Sequence, residues 1–329
     1  MDFDLTEDQQ EIKNVARELL TARSPWPKVR QAAEADAYDP ALWTEIVELG
    51  WPGIAVAEQY GGQGLGAVEL AVLLEELGYA CAATPFLSTA AAAAAIGAAG
   101  TDEQRKRWLP GLAAGELTAG VGTPELVLDG HGADVIVLVD DDGARLLAAA
   151  EAETELLRTI DSTRRFATVR GDGEALSADV GDRVRAAVAA EVVGLSQRAL
   201  EMTLEYVKQR KQFGVPVGSF QAVAHRCAQM LLHTESARST AYYAAWAADA
   251  EPSRLAEAAA LAAAAGATAA REVPASAIQA HGGIGFTWEA DVHWLYKRGE
   301  VDRTLLGPPK RHHAVLARAA AHRVTVAAG

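Results

Sequence analysis

The chain has 329 residues and a formal net charge of −14, with 44 acidic side chains against 30 basic ones. Half of the residues are hydrophobic and 22% are charged, the balance of two or three packed folded units and not of a disordered chain. No broad positive field is available for nucleic acid, and two isolated cysteines, Cys81 and Cys227, support neither a disulfide framework nor a zinc cluster. The start, Met1-Asp2-Phe3-Asp4, has no basic or apolar leader run, and the longest apolar stretch, residues 90–99, is shorter than the ~20 residues a bilayer span needs. The expectation is a cytoplasmic protein with no membrane segment.

In chain order, Thr6 and Gln9 form a capping box ahead of an amphipathic helix that ends near Ala22. Asp39-Pro40 opens a second helix, which Gly50 stops. A glycine-rich turn over residues 60–66 precedes a helix through Leu70, Leu73, Leu74 and Leu77. An alanine-rich helix from Thr89 and a second capping box, Thr101 with Gln104, complete an all-α unit over residues 1–117. Residues 118–182 change period: the run 134–139 ends at the turn Asp140-Asp141-Asp142-Gly143, and 165–170 alternates, so a small β-rich unit is expected. From 183 to 329 the chain reads as helical again. Val184, Val188, Leu195, Ala199, Met202 and Tyr206 recur at spacings of three, four and seven, which is one apolar helix face. Helices are expected over 219–249 with Ser219 as cap, 253–280 with a break at Pro274, 289–299 and 309–324. The whole is an α+β chain: an N-terminal helical domain, a shortened β middle domain and a C-terminal four-helix bundle.

Two bundle segments carry chemistry-bearing residues. The loop from Arg210 through Lys211, Gln212, Phe213 and Gly214 to Phe220 and Gln221 sets cations beside aromatic rings and amides. It suits a phosphate and a planar ring, or it is a plain connection with a snorkelling arginine. Residues 279–286, Gln-Ala-His-Gly-Gly-Ile-Gly-Phe, bring consecutive glycines to a helix end, where backbone N–H groups can cradle an anion or simply cap the helix. His312 and His313 are expected to be solvated, and His225 and His233 to be polar core residues. HExxH, GxSxG and P-loop patterns are absent from the sequence, which argues against zinc hydrolase, serine hydrolase and kinase chemistry.

Taken together, residues 53–66, the Arg210–Gly214 loop, Phe220-Gln221 and residues 279–285 resemble the acyl-CoA dehydrogenase family over essentially the whole chain. The shortened middle most resembles short actinobacterial members acting on steroid side-chain or other bulky acyl-CoA thioesters. The resemblance implies FAD as cofactor, an acyl-CoA substrate and an electron-transfer flavoprotein as redox partner. It assigns Arg210, Gln212 and Phe213 to the FAD diphosphate and adenosine of a neighbouring subunit. Gln279, Gly282 and Gly283 fall to the diphosphate, and Gln221 to the adenine side.

The family's catalytic carboxylate falls on Leu306, or in a second subfamily on Val184, and neither side chain can accept a proton. The family's Thr-Glu-Pro stretch survives only as Gly122-Thr123-Pro124-Glu125. Three readings follow. In the first, a second acyl-CoA dehydrogenase subunit brings the base in a heterotetramer. In the second, Glu191, Glu289 or Asp302 is a displaced base in a homomeric enzyme, although Glu191 lies two helical turns, ~10 Å, from Val184. In the third, the fold is a non-catalytic scaffold or a flavoprotein with other redox chemistry.

Overall fold

The computed structural model describes residues 4–140, 143–178 and 180–328; Met1–Phe3 of the leader reading and Asp141-Asp142 of the turn reading lie outside them. Six helices come first: α1 (Glu7–Arg23), α2 (Trp26–Ala35), α3 (Pro40–Glu48), α4 (Ala67–Tyr79), α5 (Phe86–Ala99) and α6 (Asp102–Ala113). Both capping boxes are made, Thr6 with Gln9 and Thr101 with Gln104, and the Asp39 carboxylate accepts from the Ala41 and Leu42 amides. Helix α5 begins three residues ahead of Thr89, because Phe86 and Leu87 are buried and belong to its packed face.

The sheet comprises β1 (Ala119–Thr123), β2 (Leu126–Leu128), β3 (Val135–Asp140), β4 (Gly143–Ala148), β5 (Glu153–Leu157), β6 (Phe166–Arg170) and β7 (Glu174–Ala175). Its order is β5-β6-β2-β1-β3-β4-β7, with β1 and β3 parallel in the register Val121↔Val137. One sheet face packs into the main core through Val121, Leu128, Val135 and Val137; the other holds a smaller cluster around Val127, Ile136 and Leu138. Thr123 pairs with Leu126, so the remnant Gly122–Glu125 is a tight β1–β2 turn.

The C-terminal helices are α7 (Gly181–Gln209), α8 (Gln221–Ala250), α9 (Leu255–His281), α10 (Val292–Leu306) and α11 (Pro309–Ala328). A two-stranded hairpin, β8 (Lys211–Gln212) with β9 (Val215–Pro216), joins α7 to α8. Alanines at the buried positions of α7, α8 and α9 let these helices approach closely. The closest crossing is α4 on α7, where a Cβ on Gly194 would collide with the Glu75 backbone and one on Gly78 with the Glu191 backbone.

Four local expectations need correction. Helix α9 runs unbroken through Pro274. Proline leaves the Ala270 carbonyl without its helical donor, and α10 packs so tightly there that a Cβ on Gly299 would collide with that carbonyl. The site is buried between helices, and packing outweighs the local cost of proline. Ser219 does not cap α8: its hydroxyl donates to Pro216 O at 2.6 Å, and Phe220 occupies the cap position without a side-chain bond. His312 is buried, not solvated. Gly307, at φ 85°, turns α11 back so that the His312 ring reaches Leu306 O at 2.8 Å. His225 is exposed and His233 half-buried, because α8 turns that face away from the bundle. Among the described residues, no helix is long and apolar enough to cross a membrane.

Candidate functional site

The two chemistry-bearing bundle segments meet at one end of the α8–α9 pair, which is antiparallel. Helix α7 ends as the Arg210 amide donates to Tyr206 O at 2.9 Å. The chain then reverses in a two-residue turn whose central residues, Phe213 (φ 53°) and Gly214 (φ 82°), are both left-handed, the geometry of a type I′ hairpin. The turn holds Phe213 almost fully in solvent, 94% exposed, with its ring edge-to-face on Phe220 at 6.3 Å. Opposite, α9 terminates at Gly282, φ 65°, and the following turn spans Gly282–Phe286. Arg210, Gln212, Phe213 and Phe220 thus face His281, Gly282 and Gly283 across an open groove of about 590 Å³.

The groove suits a nucleotide diphosphate. A Cβ built on Gly282 or Gly283 would meet nothing within 4 Å, so both positions present bare backbone to the opening. The exposed Arg210 guanidinium has no protein partner among the described residues and is free to meet an anion. Phe213 and Phe220 offer apolar faces to a planar ring. Gln221, first residue of α8, and Gln279, one turn before the α9 end, are both exposed at this end of the bundle but do not line the groove. Two lining residues were not singled out from the sequence: Tyr206 and His281, whose rings stack at 4.4 Å and 21°. Their signal was present: Tyr206 belongs to the apolar face read from the sequence, four positions before Arg210, and His281 lies within residues 279–286, directly before Gly282.

The positions that the resemblance gives to a catalytic base look quite different. Leu306 is 1% exposed, and its Cδ1 lies 3.2 Å from where a Cβ on Gly266 would stand. Val184 packs half-buried against the same core. One helical turn before Leu306, Asp302 enters a buried ionic cluster that ties α7 and α10 to the loop between β5 and β6. In it Arg298 Nε meets Asp161 at 3.0 Å, its Nη1 lies 3.2 Å from Ala82 O and 3.5 Å from Glu191, and its Nη2 donates to Thr163 Oγ1. Arg164 donates to Glu191 and lies 3.9 Å from Asp302.

All five charged members of this cluster are buried. Burial first, and the Glu191 carboxylate second, push the Asp302 carboxyl well above the usual carboxylate range. With Asp302 protonated, two guanidiniums balance two carboxylates. Arg164 Nε and Nη1, Glu191 Oε2 and both Asp302 oxygens have no hydrogen-bond partner among the described residues. Burial also raises the Cys81 thiol beside the cluster to about 12, so it stays protonated.

Of the three displaced-base candidates, Glu191 and Asp302 are therefore held in this cluster, and Glu289 stands exposed in the turn before α10. Among the described residues no group of three or more His, Cys, Asp or Glu side chains gathers as a metal site. Where FAD is concerned, the residues present fit its nucleotide half. At the position of the reacting half, the Leu306 side chain is apolar and packed.

Fold and groove together define an acyl-CoA dehydrogenase. Residues 6–116 match the N-terminal domain of the acyl-CoA dehydrogenase family and residues 171–321 its C-terminal domain, and the residues between hold strands β1 to β6. The chain belongs to that family, whose members act on the CH–CH bond of acyl-CoA with a flavin, FAD. It is 34% identical to acyl-CoA dehydrogenase IpdE2 of Mycolicibacterium smegmatis over 93% of this chain and 96% of that protein, so the two are of nearly equal length. Against YngJ of Bacillus subtilis, a probable acyl-CoA dehydrogenase at 28% identity, the alignment extends over 380 residues with 97% of this chain and 99% of that protein covered. That relative is thus longer. Among solved structures, the Tcur3481–Tcur3483 steroid ACAD G363A variant superposes with a TM-score of 0.87 at 27% identity, covering 97% of this chain and 99% of that one.

Proposed function

We propose that this chain is the subunit of a heteromeric acyl-CoA dehydrogenase that lacks the catalytic base and completes a FAD site shared with a second, base-bearing subunit. One observation carries the reading: Arg210, Gln212 and Phe213 face Gly282 and Gly283 across an open groove, while both base positions are apolar and packed. In this role Arg210 and the Gly282–Gly283 amides bind the FAD diphosphate, Phe213 and Phe220 cover the adenosine, and Gln221 and Gln279 close the ends. The bound flavin supplies hydride acceptance from the substrate β-carbon, and the paired removal of the α-proton requires a carboxylate at the reacting carbons. Leu306 and Val184 cannot do this, so the carboxylate comes from the partner.

The reading is supported by the likeness to IpdE2 and by the two-component name of the steroid dehydrogenase structure. A bulky acyl-CoA thioester, electron-transfer flavoprotein as electron acceptor and a cytoplasmic site of action belong to the same proposal. So does a division of the chain into domains at 117/118 and 182/183. Anaerobic titration with acyl-CoA tests it. Bleaching of the flavin in the co-purified pair, and none in this chain alone, is the expected result. Bleaching of this chain alone would give it a base of its own and defeat the proposal.

A further inference from the structure

The groove is lined by one buried side chain whose hydrogen-bonding chemistry does not match a phosphate. His281 closes α9 and is 8% exposed. Its Nδ1 lies 2.7 Å from the Ala277 carbonyl, an acceptor, so Nδ1 carries the proton and donates. Burial holds the imidazole below its usual pKa, against the pull of that carbonyl, and keeps it neutral. Nε2 is then a bare acceptor. Among the described residues it has no hydrogen-bond partner, and the ring that carries it lines the groove. Stacking on Tyr206 fixes the plane of the ring.

Around it, the groove divides by chemistry. Arg210 and the Gly282–Gly283 amides are donors, suited to phosphate oxygens. Gln212 Nε2 donates to Lys211 O at 2.8 Å, which leaves its Oε1 as a second acceptor on the opposite wall. A diphosphate has no hydrogen to give either acceptor, and the lone pair of Nε2 repels it. An adenosine has several: the ribose hydroxyls and the exocyclic amine.

Resting on the FAD reading above, we propose that His281 Nε2 accepts a hydrogen bond from the adenosine portion of the bound dinucleotide, and that Tyr206 holds the ring for it. His281 thereby fixes which way the nucleotide lies, with adenosine toward the imidazole and diphosphate toward Arg210. It is a specificity-determining residue for the nucleoside and takes no part in the redox step.

The test uses the flavin-free assembled pair and titration calorimetry with ADP, inosine diphosphate and 2′- and 3′-deoxy-ADP. Wild type should favour ADP over at least one of these analogues by about three- to tenfold, the worth of one neutral hydrogen bond. His281→Phe, which keeps the stack on Tyr206, should abolish that preference. A preference that survives His281→Phe, or one missing from wild type, overturns the proposal. If His281→Phe does not fold, the ¹⁵N resonance of Nε2 in wild type decides: it moves on ADP binding if Nε2 accepts a bond, and stays if the idea is wrong. Arg210→Ala separates the two readings. ADP affinity lost in Arg210→Ala but indifferent to His281 leaves the FAD reading standing and removes this one, whereas a wild-type pair blind to ADP removes both.

Discussion

The α8–α9 end of the bundle and the sheet–bundle junction beside Leu306 are built from opposite materials. At the first, an arginine without a side-chain partner among the described residues, two bare glycines and a phenylalanine 94% in solvent surround an open groove. At the second, five charged groups and a packed leucine are all buried. The exposed Phe213 ring and the exposed Arg210 guanidinium are the groups that the proposal gives to a bound nucleotide. The cluster of buried charges, by contrast, ties α7 and α10 to the loop between β5 and β6, and removal of one partner from it is costly. In the proposed role the open groove is the recognition half of a cofactor site, and the packed junction is the region where this chain supplies no base.

That contrast can be broken from either side. The largest effect is expected at the junction. Arg298→Met strands Asp161 and Glu191 without their shared cation, and loss of one partner from a buried pair costs about 3–5 kcal/mol. Urea denaturation should show that loss, and a change below ~1 kcal/mol would mean that the cluster holds little. Leu306→Glu, the direct attempt to restore a base, places a carboxyl against Gly266 in a packed core. It should destabilise the chain by several kcal/mol and yield no desaturation by the chain alone. Recovered activity would show that a substrate cleft survives there after all.

Changes in the groove should do the reverse. Arg210→Ala should lower FAD retention of the assembled pair by about 10- to 100-fold, the range for a hydrogen bond to a charged group. The melting temperature of the flavin-free protein should stay within about a degree, because the side chain is exposed. Equal losses in both would make Arg210 a structural residue.

The smallest effect is a pH dependence. The folded-state pKa of Asp302 is raised by burial and by Glu191. Its contribution to stability is therefore complete below the unfolded carboxylate pKa, about 3.9, and declines as pH rises above it. Asp302→Asn should remove that decline and make the protein modestly more stable at neutral pH. A steeper decline in the variant would put the proton elsewhere in the cluster.

The sequence was most legible where local chemistry decides structure. Both capping boxes, the Asp39-Pro40 helix start and the change of period at the sheet are local signals, and each corresponds to an element. The groove was legible as two segments, because a cation–aromatic loop and a double glycine are marked by composition. What joins them, the antiparallel pairing of α8 with α9, is a tertiary fact, so the stacked pair Tyr206–His281 went unmarked. Two of the errors share one cause. Pro274 within α9 and the burial of His312 both depend on which helix packs alongside, and local propensity carries no information about that. The ionic cluster was similarly hidden, since Asp161, Arg164, Glu191, Arg298 and Asp302 are spread over more than a hundred residues and meet only in the folded chain.

The most direct measurement is the flavin content of this chain co-purified with its partner subunit, by absorbance against protein concentration. An open nucleotide groove here and a closed junction at Leu306 predict one FAD per pair. Two FAD per pair would place a complete flavin site in this chain and contradict the account.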